Sequence, residues 1–187
     1  MIRAFIGLEL PQEIRSQLVL QQYLMPVKRR LPPEYFHITL VFLGNATHAQ
    51  LDELDQELGR LHMPDLQLEI AGLGLFGKGR AHNLHAQVRL TPELAQLHQK
   101  LTNLVRRAGF EPEPRRYIPH VTLSYLTPGS FDQAELELAV ARDAQFRAGP
   151  FAAHHIALFR SHLRRSGAEY DVLERYPLSA VGRAVKQ

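Results

Sequence analysis

One four-residue pattern occurs twice in this chain, as His37-Ile38-Thr39-Leu40 and as His120-Val121-Thr122-Leu123. At ordinary residue frequencies, a His-aliphatic-Thr-Leu tetrapeptide is expected on the order of 0.01 times in a chain of this length, and a pair on the order of 0.0001 times. The copies also occupy matching places. Residues 2–8 alternate as a strand, a helix opens at Pro11 and ends at Pro26, and a strand over 37–43 carries the first copy. The order then recurs: a strand over 84–90, a helix from its Thr91 cap to Gly109, and a strand over 120–126 carrying the second copy. Such an echo is what two matching lobes produce.

The rest of the chain fits around that repeat. Ile14, Leu18 and the Leu20–Leu24 stretch recur at helical spacing in the first helix, and Gly44-Asn45 stops the strand at 43. Leu51, Leu54, Leu58 and Leu61 form one helical stripe, and Leu66, Leu68 and Ile70 alternate as a strand. Gly72, Gly74, Gly77 and Gly79 mark a bent strand end and a turn, and Pro128-Gly129 marks another. Ser130 or Asp132 starts a short helix, and 151–161 with 169–174 read as a closing pair of strands. No Pro/Ser/Gly-rich linker divides the chain. The reading is one bilobal unit over 1–187, α+β, with two pseudo-symmetric lobes of mainly antiparallel sheet, helices packed outside and a central cleft.

Composition removes several classes. There is no cysteine, so disulfides, thiolate nucleophiles and thiolate metal sites are excluded. No apolar run approaches the roughly 20 residues of a membrane span. The opening Met1–Leu8 is too short and too strand-like for a signal peptide. The expectation is a cytoplasmic monomer with no membrane partner. The net charge is only +3, but Lys28-Arg29-Arg30, Arg106-Arg107, Arg115-Arg116 and Arg164-Arg165 are adjacent basic runs, while acidic residues gather in 52–57, 65–69 and 132–143. Most such runs are solvated faces; a basic lining that meets phosphates is the functional alternative.

The duplicated tetrapeptide carries the chemistry. On a strand, residues i and i+2 share a face, so His37 and Thr39 look one way and Ile38 and Leu40 the other, as do His120 and Thr122 against Val121 and Leu123. If the aliphatic faces pack inward, two imidazoles and two hydroxyls converge on a shared cleft. Opening a cyclic phosphodiester needs a base to activate water and an acid to protonate the leaving oxygen. Imidazole serves as either near neutrality. The threonines can bind the non-bridging phosphate oxygens. A lone strand histidine is more often a packed residue than a catalyst; two matched His-x-Thr units shift that balance.

Zinc is the rival reading, but a usual site wants three or four ligands and neither tetrapeptide contains a carboxylate. His82 and His85 lack an obvious partner set. His154 and His155 are expected on opposite sheet faces, and His48, His62, His98 and His162 on helix surfaces or loops.

The flanks suggest roles. Arg115 and Arg116 near His120 favour its neutral form and so the base, whereas Glu34 near His37 favours the imidazolium and so the acid that protonates the leaving oxygen.

With these residues set out, the chain resembles the 2H phosphoesterase superfamily, and within it the bacterial RNA 2′,3′-cyclic phosphodiesterases, also called 2′-5′ RNA ligases. Arg3–Leu8 followed by Pro11 is similar to the family's first strand and helix start; Pro32–Gly44 matches its first motif and Arg116–Leu123 its second; Ser161, Gly167, Tyr170 and Leu178 fall in a stretch similar to its last hairpin.

The resemblance implies hydrolysis of RNA terminal 2′,3′-cyclic phosphate to a 2′-phosphomonoester, a feeble 2′-5′ joining of RNA ends, and no metal or nucleotide cofactor. It implies His37 and His120 as catalytic residues and Thr39 and Thr122 as phosphate ligands. Relatives often carry Trp where this chain has Arg30, and Arg where it has Tyr125. Arg115, Arg116, Lys78, Arg80 or Arg160 could supply the missing cation, with Arg115, Arg116 and Tyr125 the candidate RNA contacts. The alternatives are a phosphodiesterase of small cyclic nucleotides and a non-catalytic RNA-end-binding module.

Overall fold

The computed structural model describes residues 1–164 and 167–179. Among these, the strands are β1 (Ile2–Glu9), β2 (His37–Ala46), β3 (Leu66–Phe76), β4 (Asn83–Val88), β5 (His120–Tyr125), β6 (Arg147–Ala153), β7 (His155–Arg164) and β8 (Gly167–Pro177). The helices are α1 (Gln12–Leu24), α2 (His48–Gly59), α3 (Pro92–Arg107) and α4 (Gln133–Arg142). All strands join one antiparallel sheet in the order β6-β3-β4-β5-β2-β1-β7-β8. The α+β class holds, and the two lobes are the two halves of that one sheet. The repeated units β1-α1-β2 and β4-α3-β5 lie about its middle, where β2 meets β5 and β1 and β4 flank them.

The seam between the halves is thin. The register of β2 on β5 is one pair, Ile38 with Val121. Side chains reinforce it. Gln22, only 2 % exposed, donates from Nε2 to the carbonyls of Leu31 (2.9 Å) and Leu123 (2.7 Å). Ser124 donates to the Arg29 carbonyl at 2.6 Å, and the Tyr117 hydroxyl donates to the Thr39 carbonyl at 3.3 Å. A buried amide needs such partners, and here they tie one lobe to the other.

The helices end where their caps dictate. Thr91 accepts from the Leu94 N–H at the start of α3, and Gly109, with φ of +77°, follows its end. Thr47 and Gln50 form a capping box at α2, and Asp132, not Ser130, caps α4 by accepting from the Glu135 N–H. Leu94, Leu97, Leu101 and Leu104 are buried as their spacing requires. In α1 the buried stripe is Ile14, Leu18 and Gln22, and Leu20 and Leu24 of the apolar stretch are exposed. No helix of the described residues is long and apolar enough to cross a membrane.

Two further expectations change. β2 does not stop at Gly44-Asn45: Gly44, at φ +70°, sits at a register shift against β1, and pairing continues to Ala46. Only a glycine takes that bulge conformation cheaply. The stretch 151–161 is two strands, parted at His154. β6 crosses to β3, while β7 and β8 form the closing hairpin. Apolar residues lie on both sides of His154-His155, so the local pattern alone does not show the change of partner. Arg165, from one basic run, lies outside the described residues.

Candidate active site

The site begins with strand alternation at the seam. Ile38, Leu40, Val121 and Leu123 are each at most 3 % exposed, in the core that also holds Ile14, Leu18, Leu97 and Leu101. His37, Thr39, His120 and Thr122 therefore project from the opposite, helix-free face. Antiparallel pairing at Ile38–Val121 then sets His37 toward Thr122 and Thr39 toward His120. Four polar groups from the two copies surround one point.

Both imidazoles are held alike. Nδ1 of His37 lies 2.7 Å from the Tyr35 carbonyl, and Nδ1 of His120 lies 2.8 Å from the Ile118 carbonyl. A carbonyl only accepts, so Nδ1 carries the hydrogen in both rings and Nε2 is left for the cleft. Beyond this the copies differ. His37 Nε2 lies 3.2 Å from Thr39 Oγ1, whereas Thr122 Oγ1 accepts from Asn83 Nδ2 at 3.1 Å.

The walls are aromatic. The His37 ring lies 4.7 Å from Phe5, 5.4 Å from Phe159 and, edge-on, 4.9 Å from Tyr170. Phe5 and Phe159 form a small apolar cluster with Ala157 on this face. The His120 ring lies 4.8 Å from Phe76 and 5.2 Å from His85, and His85 stacks on Phe76 at 3.9 Å. Gly74 makes room for His85, because a Cβ there would stand 2.7 Å from His85 Nε2.

Burial dominates the titration. It pushes His37 down to about 4, and the charge of His120 adds to the effect. His120 is lowered by burial first, with a contribution from Arg115. His85 is lowered to about 3 by burial and by His120. The expected separation of roles by Glu34 is absent. Glu34 is exposed on a 3-10 turn, Pro33–Tyr35, and is not among the groups acting on His37. Desolvation, not a neighbouring carboxylate, sets the resting state, and it favours the neutral form of both rings.

Arg115 is the cation that acts on His120, and its guanidinium sits 5.5 Å over the Phe42 ring. Arg116 is exposed. Tyr125 of β5 meets Tyr170 of β8, hydroxyl to hydroxyl at 3.0 Å, so the sheet curls enough to bring these two strands together over the site. Arg30 bonds the carbonyls of Gln22 and Met25 at the end of α1 and covers Tyr23. Arg160 is paired with Asp171, and Arg80 lies over Phe131.

Of the remaining histidines, His85 makes ring contacts with Phe76 and His120, and His162 differs from expectation. His98 stacks on Tyr117 at 4.0 Å. His162 lies in β7 and pairs with Asp171 at 2.7 Å. His154 pairs with Asp65, and His155 with Glu9, whose carboxyl is lowered to about 2 by His155 and Arg175. Among the described residues no group of three or more His, Cys, Asp or Glu could hold a metal ion.

Asn83, His85, Phe5, Phe159 and Tyr170 escaped the sequence reading as site residues. A signal existed for two of them. Asn83, His85 and Gln87 alternate with Leu84, Ala86 and Val88, which is a polar face on an otherwise apolar strand.

Comparison with known proteins agrees with this architecture. The model of the 2′-5′ RNA ligase superfamily matches residues 9–165. A protein of Bacillus subtilis (strain 168) named RNA 2′,3′-cyclic phosphodiesterase is 27 % identical over 183 residues, covering 94 % of this chain and 96 % of its own. The protein of that name from Escherichia coli (strain K12) is 26 % identical over 181 residues, covering 95 % and 97 %. A crystal structure of Escherichia coli LigT complexed with 3′-AMP superposes with a TM-score of 0.72 at 23 % identity, and one of a Thermus thermophilus protein with 0.75 at 24 %. Both cover 95 % of this chain and 98 % of their own and share its fold.

Proposed function

The chain belongs to the 2′-5′ RNA ligase superfamily, and we propose that it hydrolyses the terminal 2′,3′-cyclic phosphate of RNA to a 2′-phosphomonoester, with His37 and His120 as paired acid and base. The observation that carries this reading is the convergence of two identically tethered imidazoles, each beside a threonine, on one face of the seam. One Nε2 takes a proton from the attacking water. The other, protonated, delivers a proton to O3′ as its bond to phosphorus breaks, and phosphate remains on O2′. Thr39 and Thr122 bind the non-bridging oxygens. The same site joins RNA ends weakly when a 5′-hydroxyl replaces water, which yields a 2′-5′ linkage. No metal or cofactor takes part, and the setting is the cytoplasm.

The acid's proton is explained by coupling. Both imidazoles are lowered at rest, and the charge of His120 opposes that of His37. The pair therefore holds one proton in preference to two, and the phosphate anion raises its affinity for that one. In the free enzyme the singly protonated pair is lost as pH rises through values below the ordinary 6.5 of imidazole. The kcat/KM profile is therefore expected to be bell-shaped, with its alkaline limb below 6.5, and kcat to persist to higher pH. A pH–rate series on both parameters checks this; a kcat/KM limb well above 7 would remove burial as its cause.

The direct test is turnover of an RNA oligomer ending in 2′,3′-cyclic phosphate against 2′,3′-cyclic AMP, with saturating chelator present. Arg115 and Arg116, together with the Tyr125 ring, are proposed to meet the RNA backbone and bases. On that account kcat/KM for the oligomer falls more steeply with salt than for the mononucleotide. Equal salt slopes would leave the arginines as solvated surface, and loss of turnover in chelator would overturn the metal-free chemistry.

A further inference from the structure

The two halves of the site are duplicated in sequence yet differ in hydrogen bonding. Nδ1–H of His37 is committed to the Tyr35 carbonyl, so its Nε2 is an acceptor, and the Thr39 hydroxyl donates to it at rest. The Thr39 proton is engaged before any substrate arrives. Thr122 is in the opposite condition. Asn83 Nδ2 occupies a lone pair of its Oγ1, and the hydroxyl proton is left to point elsewhere.

Asn83 is set for this task. It is 6 % exposed on β4, and its Oδ1 is buried with no partner. An orphaned buried acceptor is costly and calls for an explanation. Turning the amide over would not remove the cost. Oδ1 would then take the Thr122 proton, and the amide would strand N–H donors in place of one carbonyl. The observed orientation is the one that leaves the Thr122 proton free for an anion.

We infer that Asn83 is a positioning residue that keeps Thr122 a ready donor to the non-bridging phosphate oxygen, so that phosphate docks first on the second His-x-Thr motif and only then displaces the bond between Thr39 and His37. The inference rests on the cyclic phosphodiesterase reading above and deepens it.

A double-mutant cycle with the cyclic-phosphate oligomer tests it, using wild type, Asn83→Ala, Thr122→Val and the double variant, with melting temperature as the check on folding. Asn83→Ala is expected to lower kcat/KM about tenfold in the wild-type background, the scale of one hydrogen bond, and to cost nothing further once Thr122 is valine. Asn83→Asp, nearly isosteric, is expected to lose more than Asn83→Ala, because its carboxylate takes the Thr122 proton and repels phosphate.

An equal loss from Asn83→Ala in both backgrounds would show action through packing and overturn the inference. So would an Asn83→Asp variant as active as wild type. Should Thr122→Val itself leave kcat/KM unchanged, the threonine role in the proposed mechanism fails. Should it cost activity while Asn83→Ala remains additive, only the present inference fails.

Discussion

His37→Ala and His120→Ala are each expected to lower kcat at least about 100-fold, the scale of losing a general acid or base. The double variant should be little worse than either single one, because a proton taken at one end of the reaction is matched by a proton given at the other, and half of that exchange has little value. Packing complicates one substitution. His37 fills space against Phe5, Phe159 and Tyr170, so alanine there leaves a gap in the small apolar cluster of the cleft. His37→Gln keeps most of the volume and removes the titrating ring, and it should be as inactive as His37→Ala with a higher melting temperature. Steady-state kinetics with thermal melts on all four variants separates the two effects. Near-wild-type turnover by either folded single variant would sink the paired-histidine mechanism.

Much of this site was legible because strands obey a rule of two. The alternation at 37–40 and 120–123 sends the histidines and threonines to one face whatever the rest of the fold does, and duplication in matching contexts makes the halves meet. Helix ends were legible for a similar reason: Thr91 and Gly109 act on their nearest turns. What was hidden depends on partners distant in sequence. The division of 151–161 into β6 and β7 follows from pairing with β3 and β1, which the local residue pattern does not reveal. Asn83 and His85 matter only because β4 lies beside β5. Glu34, three positions from His37 in sequence, sits on an exposed turn and does not set the charge of the ring, while Phe5 and Phe159, far off along the chain, remove water from it.

Thr39→Val and Thr122→Val are each expected to keep the fold and lose about 10- to 100-fold in kcat/KM, the range for one hydrogen bond to a charged group, with Thr122→Val melting lower because the buried Asn83 Nδ2 loses its acceptor. Valine keeps the β-branched shape that suits a strand and removes the donor. The two losses should differ in kind. Thr122 gives up a proton that was free at rest, so its valine variant loses the contact with phosphate and the acceptor of Asn83 Nδ2 but no bond to a histidine, and its pH profile should keep the wild-type position. Thr39 also donates to His37 Nε2 at 3.2 Å. A bond to that lone pair favours the neutral ring, so its removal lets His37 take up a proton more readily. The acid limb of kcat/KM in Thr39→Val should therefore move toward higher pH. Kinetics across pH for both variants decides the matter. Unchanged kcat/KM in both would show that the hydroxyls do not meet the phosphate, and identical profile shifts would show that the resting asymmetry between the two motifs has no part in the reaction.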